Sequence, residues 1–165
     1  MSHQRDDHPR VQGRTDRGGN RRNDGGGRLT WEPSILVFCC NWCSYTGADA
    51  AGISRYQYPP NVQIVRVMCS GRVDPGFVLR AFHKGADGVL VTGCHPGDCH
   101  YQTGNVQAEK RVEMLKVLID QLGIQSDRLG LEWISAAEGQ RFANVITDFV
   151  SKVRGLGPLN GGEGL

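Results

Sequence analysis

The sequence predicts an α/β fold: a single, mostly parallel sheet with helices on both faces, in the order βαβαβαβα, preceded by a disordered tail. Three observations carry this reading. Short β-branched and aromatic runs recur from Ser34 onward, as in strands buried on both faces. Segments with apolar residues at helical spacing lie between and after them. Ahead of both, residues 1–30 hold seven Arg, four Asp and six Gly and almost nothing apolar. Strands that alternate with helices build a mostly parallel sheet joined by right-handed crossovers.

The first strand is SILVF at 34–38. A short helix is expected over 47–56, weakened by Gly52, and the Pro59-Pro60-Asn61 stretch breaks the chain after it. VQIVRVM at 62–68 is the second strand. Asp74 and Pro75 mark a helix start, Asp as N-cap and Pro at the first helical position, and that helix runs to Gly85. GVLVTG at 88–93 is the third strand. A long helix follows from about Asn105 to Leu122, with Val112, Leu115, Leu118, Ile119 and Leu122 on one face and Gly123 closing it. The fourth strand is LGLEWIS at 129–135. Ser135-Ala-Ala-Glu138 reads as a capping box for the last helix. That helix carries Phe142, Val145, Ile146, Phe149, Val150 and Val153 on one stripe and ends near Gly155. Both stripes read as plain core.

The 165 residues divide into a tail at 1–30, one domain at 31–158 and a flexible C-terminus at 159–165. The tail's charge, seven Arg against four Asp, is +3, while the whole chain carries +2. The remaining 135 residues therefore sum to −1, so the basic balance belongs to the tail. An Arg/Gly-rich tail could bind RNA, but the interspersed Asp and the lack of any stacking aromatic argue against nucleic acid and for a solvated extension. No apolar leader follows the N-terminus and no run approaches the roughly 18 apolar residues of a membrane span. The expectation is a soluble, cytoplasmic protein. In that compartment thiols stay reduced, which disfavours a disulfide framework.

Six cysteines then need another explanation. Cys39, Cys40 and Cys43 follow the first strand, Cys69 follows the second, and Cys94 and Cys99 follow the third. In a parallel sheet these three loops lie at one edge, outside the carboxyl ends of the strands, where open α/β sheets bind their ligands. A Cys-x-x-Cys pair alone could be a redox dithiol. Four or five converging thiolates suit a tetrahedral-sulfur centre, zinc or iron–sulfur. The sheet and long helices need no metal staple, which points to a functional centre. His95 and His100 directly follow cysteines and are open to mixed ligation, or to hydrogen bonding and partner contact. Gly93, Gly97 and Gly104 let backbone approach the sulfurs, or are ordinary turn residues. Asp74 is a cap; Asp49 and Asp98 are isolated carboxylates. There is no nucleophile–base pair and no strong phosphate-loop pattern.

Four stretches, CNWCSYTGAD (40–49), QYPPNVQIVRVMCSGRVDP (57–75), GADGVLVTGCHPGDCHY (85–101) and LEWISAAEG (131–139), resemble the delta, iron–sulfur subunit of methyl-viologen-reducing hydrogenase. The resemblance covers roughly 34–158; the Arg/Gly tail and Cys39 fall outside its pattern, which starts at Cys40. It implies a non-catalytic electron-transfer subunit with one [2Fe–2S] cluster, linking a hydrogenase or formate dehydrogenase to the flavin subunit of a heterodisulfide reductase. Carried over position by position, it makes Cys40, Cys43, Cys69, Cys94 and Cys99 the candidate ligands, one more than such a cluster needs. The rival expectation is a zinc-binding or thiol-based adaptor or sensor that passes no electrons. Cys39 should point into the core, opposite to Cys40, because successive strand residues face opposite ways. Trp42, Tyr45, His100 and Tyr101 lie beside the cysteines and suit a protein interface.

Overall fold

A computed structural model describes residues 20–23 and 29–159. Strand β3 (Ile35–Cys40) lies inside a four-stranded sheet of order β4-β3-β5-β6, with β4 at Val62–Val67, β5 at Gly88–Gly93 and β6 at Leu129–Trp133. All three pairings are parallel. Four helices follow the four strands: α1 (Ser44–Ile53), α2 (Pro75–His83), α3 (Gly104–Gln121) and α4 (Gly139–Leu156). The expected α/β architecture is therefore present.

Side-chain alternation along β3 sorts the core into two layers. Ile35, Val37 and Cys39 face α1 and α4, packing with Ala48, Ala51, Phe142, Ile146 and Val150. Phe38 faces the other way and packs with Val78 and Phe82 of α2 and Val112, Leu115 and Ile119 of α3. This split follows from strand order. The chain moves from β3 outward to β4 through α1, then back across β3 to β5 through α2 and on to β6 through α3. Right-handed crossovers in opposite directions place their helices on opposite faces. The reversal of direction falls between β3 and β5, so a crevice opens past the carboxyl ends of those two strands.

Local chemistry sets the boundaries. Asp74 caps α2, its Oδ1 accepting from the Gly76 N–H at 2.8 Å, with Pro75 at the first helical position. Gly123, at φ +78, lies just past the end of α3, and Gly157, at φ +76, does the same after α4, two residues beyond the expected Gly155. Helix α1 starts at Ser44, three residues earlier than expected, because Ser44 turns inward: its Oγ accepts from the Cys40 N–H at 2.9 Å and donates to the Thr92 carbonyl at 3.2 Å.

Two findings correct the sequence reading. The Ser135–Glu138 stretch makes half of the expected capping box, the Glu138 carboxylate accepting from the Ser135 N–H at 2.6 Å, but it forms a turn ahead of α4, which begins only at Gly139. Leu118 and Leu122, expected on the core face of α3, are exposed, since the stripe that packs runs Ala108, Val112, Leu115, Ile119. At the end of the Arg/Gly-rich tail, β1 (Asn20–Asn23) pairs antiparallel with β2 (Leu29–Glu32). Residues 1–19 and 24–28 of that tail, and 160–165 of the C-terminus, lie outside the described residues.

At the edge opposite the cysteines sits a buried cation, Arg128, 1% exposed. Its guanidinium donates to Gln125 Oε1 (2.6 Å) and to the carbonyls of Asp87 (3.1 Å), Leu156 (3.4 Å) and Gly157 (2.9 Å). The Asp87 carboxylate accepts from the N–H groups of Ser34 (2.8 Å) and Leu159 (3.0 Å). One residue thus ties the start of β6 to the start of β5 and the end of α4.

Candidate metal centre

The carboxyl ends of β3, β4 and β5 deliver five buried thiols to one place. Cys40 is the last residue of β3 and Cys43 precedes the first residue of α1. Cys69 follows β4 and opens a single 3-10 turn, Ser70–Arg72. Cys94 follows β5, and Cys99 comes later in the same loop. The sulfurs of Cys40, Cys43 and Cys94 lie within 4.8 Å of one another. Cys40 Sγ is 3.9 Å from Cys94 Sγ, and Cys69 Sγ is 4.0 Å from Cys99 Sγ. The five thus form a triad and a pair. All six cysteines of the chain are free thiols.

Cys39 takes the other side of β3, as the alternation demands. It is fully buried in the α1/α4 layer, where burial pushes its thiol up to about 11. Within the triad the Cys43 thiol donates to Cys40 and holds the Cys40 sulfur below the ordinary thiol range, while Cys43 itself is driven up by that bond and by burial. Burial also raises Cys94, and raises Cys69 to about 11. A cation bound here displaces thiol protons, and its affinity falls as pH falls.

The surroundings sort the other candidates. The His95 ring is engaged by Glu138, Nε2 to Oε2 at 2.7 Å. The His100 ring stacks on Trp42, centroids 3.8 Å apart and planes 14° from parallel, and Tyr101 meets both edge-on. Among the described residues, the group able to share one metal ion is Cys40, Cys43 and Cys94, without either histidine. Asp49 sits exposed on α1, and Asp98 lines a cleft of about 270 Å³ together with Trp42, Cys43, Cys94, His95 and His100. Of the three glycines, Gly104 touches sulfur: a Cβ there would lie 2.2 Å from Cys69 Sγ. Gly93 packs on Ser70 and Trp133, and Gly97 has φ +91 in open space.

Residues 35–157 match the family described as methyl-viologen-reducing hydrogenase, delta subunit. The chain belongs to that family. All five converging cysteines lie inside the matched span, and the β1–β2 hairpin lies outside it. Curated relatives in the same range include the vhc iron-sulfur subunit of the F420-non-reducing hydrogenase of Methanococcus voltae, 56% identical over 128 residues, covering 78% of this chain and 89% of that one. The iron-sulfur subunit of the F420-non-reducing hydrogenase of Archaeoglobus profundus is 55% identical over 129 residues, with 78% and 94% covered. A subunit of the ferredoxin:CoB-CoM heterodisulfide reductase of Methanosarcina mazei is 51% identical over 127 residues, which span 77% of this chain but 16% of that longer protein. Among the described residues no helix is long and apolar enough to cross a membrane.

Sequence reasoning took Glu138 for a helix cap and missed its bond to the Cys94 loop. Its carboxylate joins the Cys94 loop, through His95, to the turn after β6, through the Ser135 N–H at 2.6 Å. The Ser135 N–H first, and the His95 ring second, hold the carboxyl down from 4.5 to about 2. A depressed carboxyl contributes stability that is present above 4.5 and is lost as pH falls toward 2. Thermal unfolding followed across that window is expected to show a smaller acid loss for Glu138→Gln than for the unaltered chain. Equal slopes for the two proteins would remove Glu138 from the acid response.

Proposed function

We propose that this chain is an electron-relay protein that holds one [2Fe–2S] cluster on Cys40, Cys43 and Cys94 with one thiol of the Cys69–Cys99 pair as the fourth ligand. The observation that carries the reading is the convergence of five buried sulfurs, a triad and an adjoining pair, at the β3/β5 switch point. The donor set suits such a group: the triad is all-sulfur and buried, and thiolate is the ligand iron–sulfur clusters take. When bound, the cluster supplies reversible one-electron transfer. The chain's own residues fix and shield it. The Ser44 hydroxyl accepts from the Cys40 N–H and fixes the backbone that carries the first sulfur, and the stacked Trp42 and His100 rings line the cleft beside Cys43.

The partners proposed are a hydrogenase or formate dehydrogenase on one side and a heterodisulfide-reductase-like flavoprotein on the other. In the Methanosarcina mazei protein the matching stretch is joined covalently to the rest of a heterodisulfide reductase polypeptide, which supports docking of this domain on such a protein. Trp42 and Tyr101 are about half exposed beside the thiols, as an anchor at that interface requires. The test mixes the dithionite-reduced protein with a heterodisulfide-reductase-type flavoprotein and follows flavin reduction. Electrons should pass, and Trp42→Ala should weaken binding by at least about tenfold, as loss of an interface tryptophan does, with iron content unchanged. A reduced protein that transfers no electrons to the flavoprotein overturns the relay. If Trp42→Ala instead loses iron while the remaining loaded protein binds normally, Trp42 is a shield and not an anchor.

A further inference from the structure

We propose that Gly104 and Asn105, the first two residues of α3, are positioning residues that clasp three cysteine-bearing segments into one geometry; the proposal rests on the metal-centre reading. Gly104 works through space. A Cβ there would lie 2.2 Å from Cys69 Sγ and 3.1 Å from Cys99 Sγ, so both sulfurs of the pair sit where any other residue would put its side chain. The backbone of Gly104 also meets Gly71, where a Cβ would lie 2.7 Å from the Gly104 carbonyl oxygen. Two glycines, one two residues after Cys69 and one five residues after Cys99, thus let the loop of β4 press directly on the start of α3. The Arg111 guanidinium, two turns along the helix, donates to the Gly71 carbonyl and holds that contact shut.

Asn105 holds the remaining segment. It is 1% exposed. Its Nδ2 donates to the Cys94 carbonyl at 3.3 Å and the His95 carbonyl at 2.8 Å, and its Oδ1 accepts from the Val106 N–H at 2.9 Å. Both donated hydrogen bonds of the side chain go to the backbone that carries Cys94. The local sequence is poor for starting a helix: Thr103, at the cap position, makes no side-chain cap bond, and glycine is a weak helix former. The choice of residues follows the sulfurs and not the helix.

The test uses the full-length chain in four forms: unaltered, Gly104→Ala, Asn105→Asp and Val117→Gly. Asn105→Asp keeps the shape and the Oδ1 acceptor but removes both donors to the Cys94 loop, so it carries the test if Gly104→Ala does not fold. Val117, exposed on α3 away from the thiols, controls for a plain loss of helix stability. Two quantities are read: the rate of iron loss to a ferrous chelator from anaerobically isolated protein, and iodoacetamide labelling of each cysteine in the metal-free chain by peptide mass spectrometry. The expected result is iron loss faster on the order of tenfold in Gly104→Ala and Asn105→Asp, the usual effect of removing support around a metal ligand. Labelling should rise several-fold at Cys69 in the first and at Cys94 in the second. Val117→Gly should lower the melting temperature and leave both quantities unchanged. The clasp is overturned if neither quantity in either clasp variant departs from the Val117→Gly control. Absence of iron from the unaltered protein would count against the cluster alone, since the labelling arm reads the clasp without any metal.

Discussion

Cys43→Ser is expected to leave the purified protein without its visible colour and with almost no iron, while Cys39→Ser keeps both. The two residues are four apart and both buried, so burial does not distinguish them. Direction does. Cys43 Sγ lies in the triad with Cys40 and Cys94, whereas Cys39 points through the sheet into the α1/α4 core beside Val37, Ala51 and Phe142. Losing one of four ligands leaves three thiolates that must share a charge and a coordination sphere built for four, and clusters of this kind are held by four thiolates. Replacing Cys39 by Ser exchanges a small hydrophobe for a hydroxyl next to Thr92 and Ser44, at a cost in stability and not in metal. The same assay places the fourth ligand: of Cys69→Ser and Cys99→Ser, one should lose iron and the other retain it. Iron analysis and the visible spectrum decide each case. Iron loss from Cys39→Ser, or full retention in Cys43→Ser, would mean that the triad is not the centre.

Arg128→Met should destabilise the fold by about 3 kcal/mol or more, the usual result of removing one partner from a buried charge network. The substitution conserves bulk but leaves the carbonyls of Asp87, Leu156 and Gly157 without their donor, and takes the compensating charge from a buried carboxylate at Asp87. For a domain of this size the shift in melting temperature is roughly 10 °C. Because the network lies at the opposite edge of the sheet, the iron content of the protein that remains folded should not change. Calorimetry and iron analysis on the same preparation test both halves. A melting temperature within a degree or two of the unaltered chain would show that water replaces the guanidinium at no cost.

Cys43 and Arg128 also mark the two ends of what was legible in the sequence. The thiols were readable because strand periodicity is local and parallel topology is nearly obligatory for alternating strands and helices. Once β3, β4 and β5 were assigned, the loops bearing Cys40, Cys69 and Cys94 had to share an edge. The side on which Cys39 lies followed from the two-residue repeat. Arg128 was not readable, since arginine is mostly an exposed residue and its carbonyl partners at Asp87 and Leu156 lie 41 and 28 residues away in sequence. Glu138 was misread for a related reason. A serine followed three residues later by glutamate is a local helix-start pattern, and its Ser135 N–H to Glu138 bond forms, but the same carboxylate also meets His95, 43 residues earlier, and the helix starts only at Gly139. For Gly104 the sequence leaves a close approach to the sulfurs and an ordinary turn both open, because the sulfur that excludes a side chain there lies 35 residues back in the chain, at Cys69.

The central claim, that four of the five converging thiols hold an iron–sulfur centre for electron transfer, is tested most directly by metal and acid-labile sulfide analysis of the full-length protein purified without oxygen. The predicted result is about two irons and two inorganic sulfides per chain, no stoichiometric zinc, and a brown solution that bleaches on reduction. One zinc per chain, with no sulfide and no colour, would contradict it and leave a thiolate-bound structural ion in place of a relay.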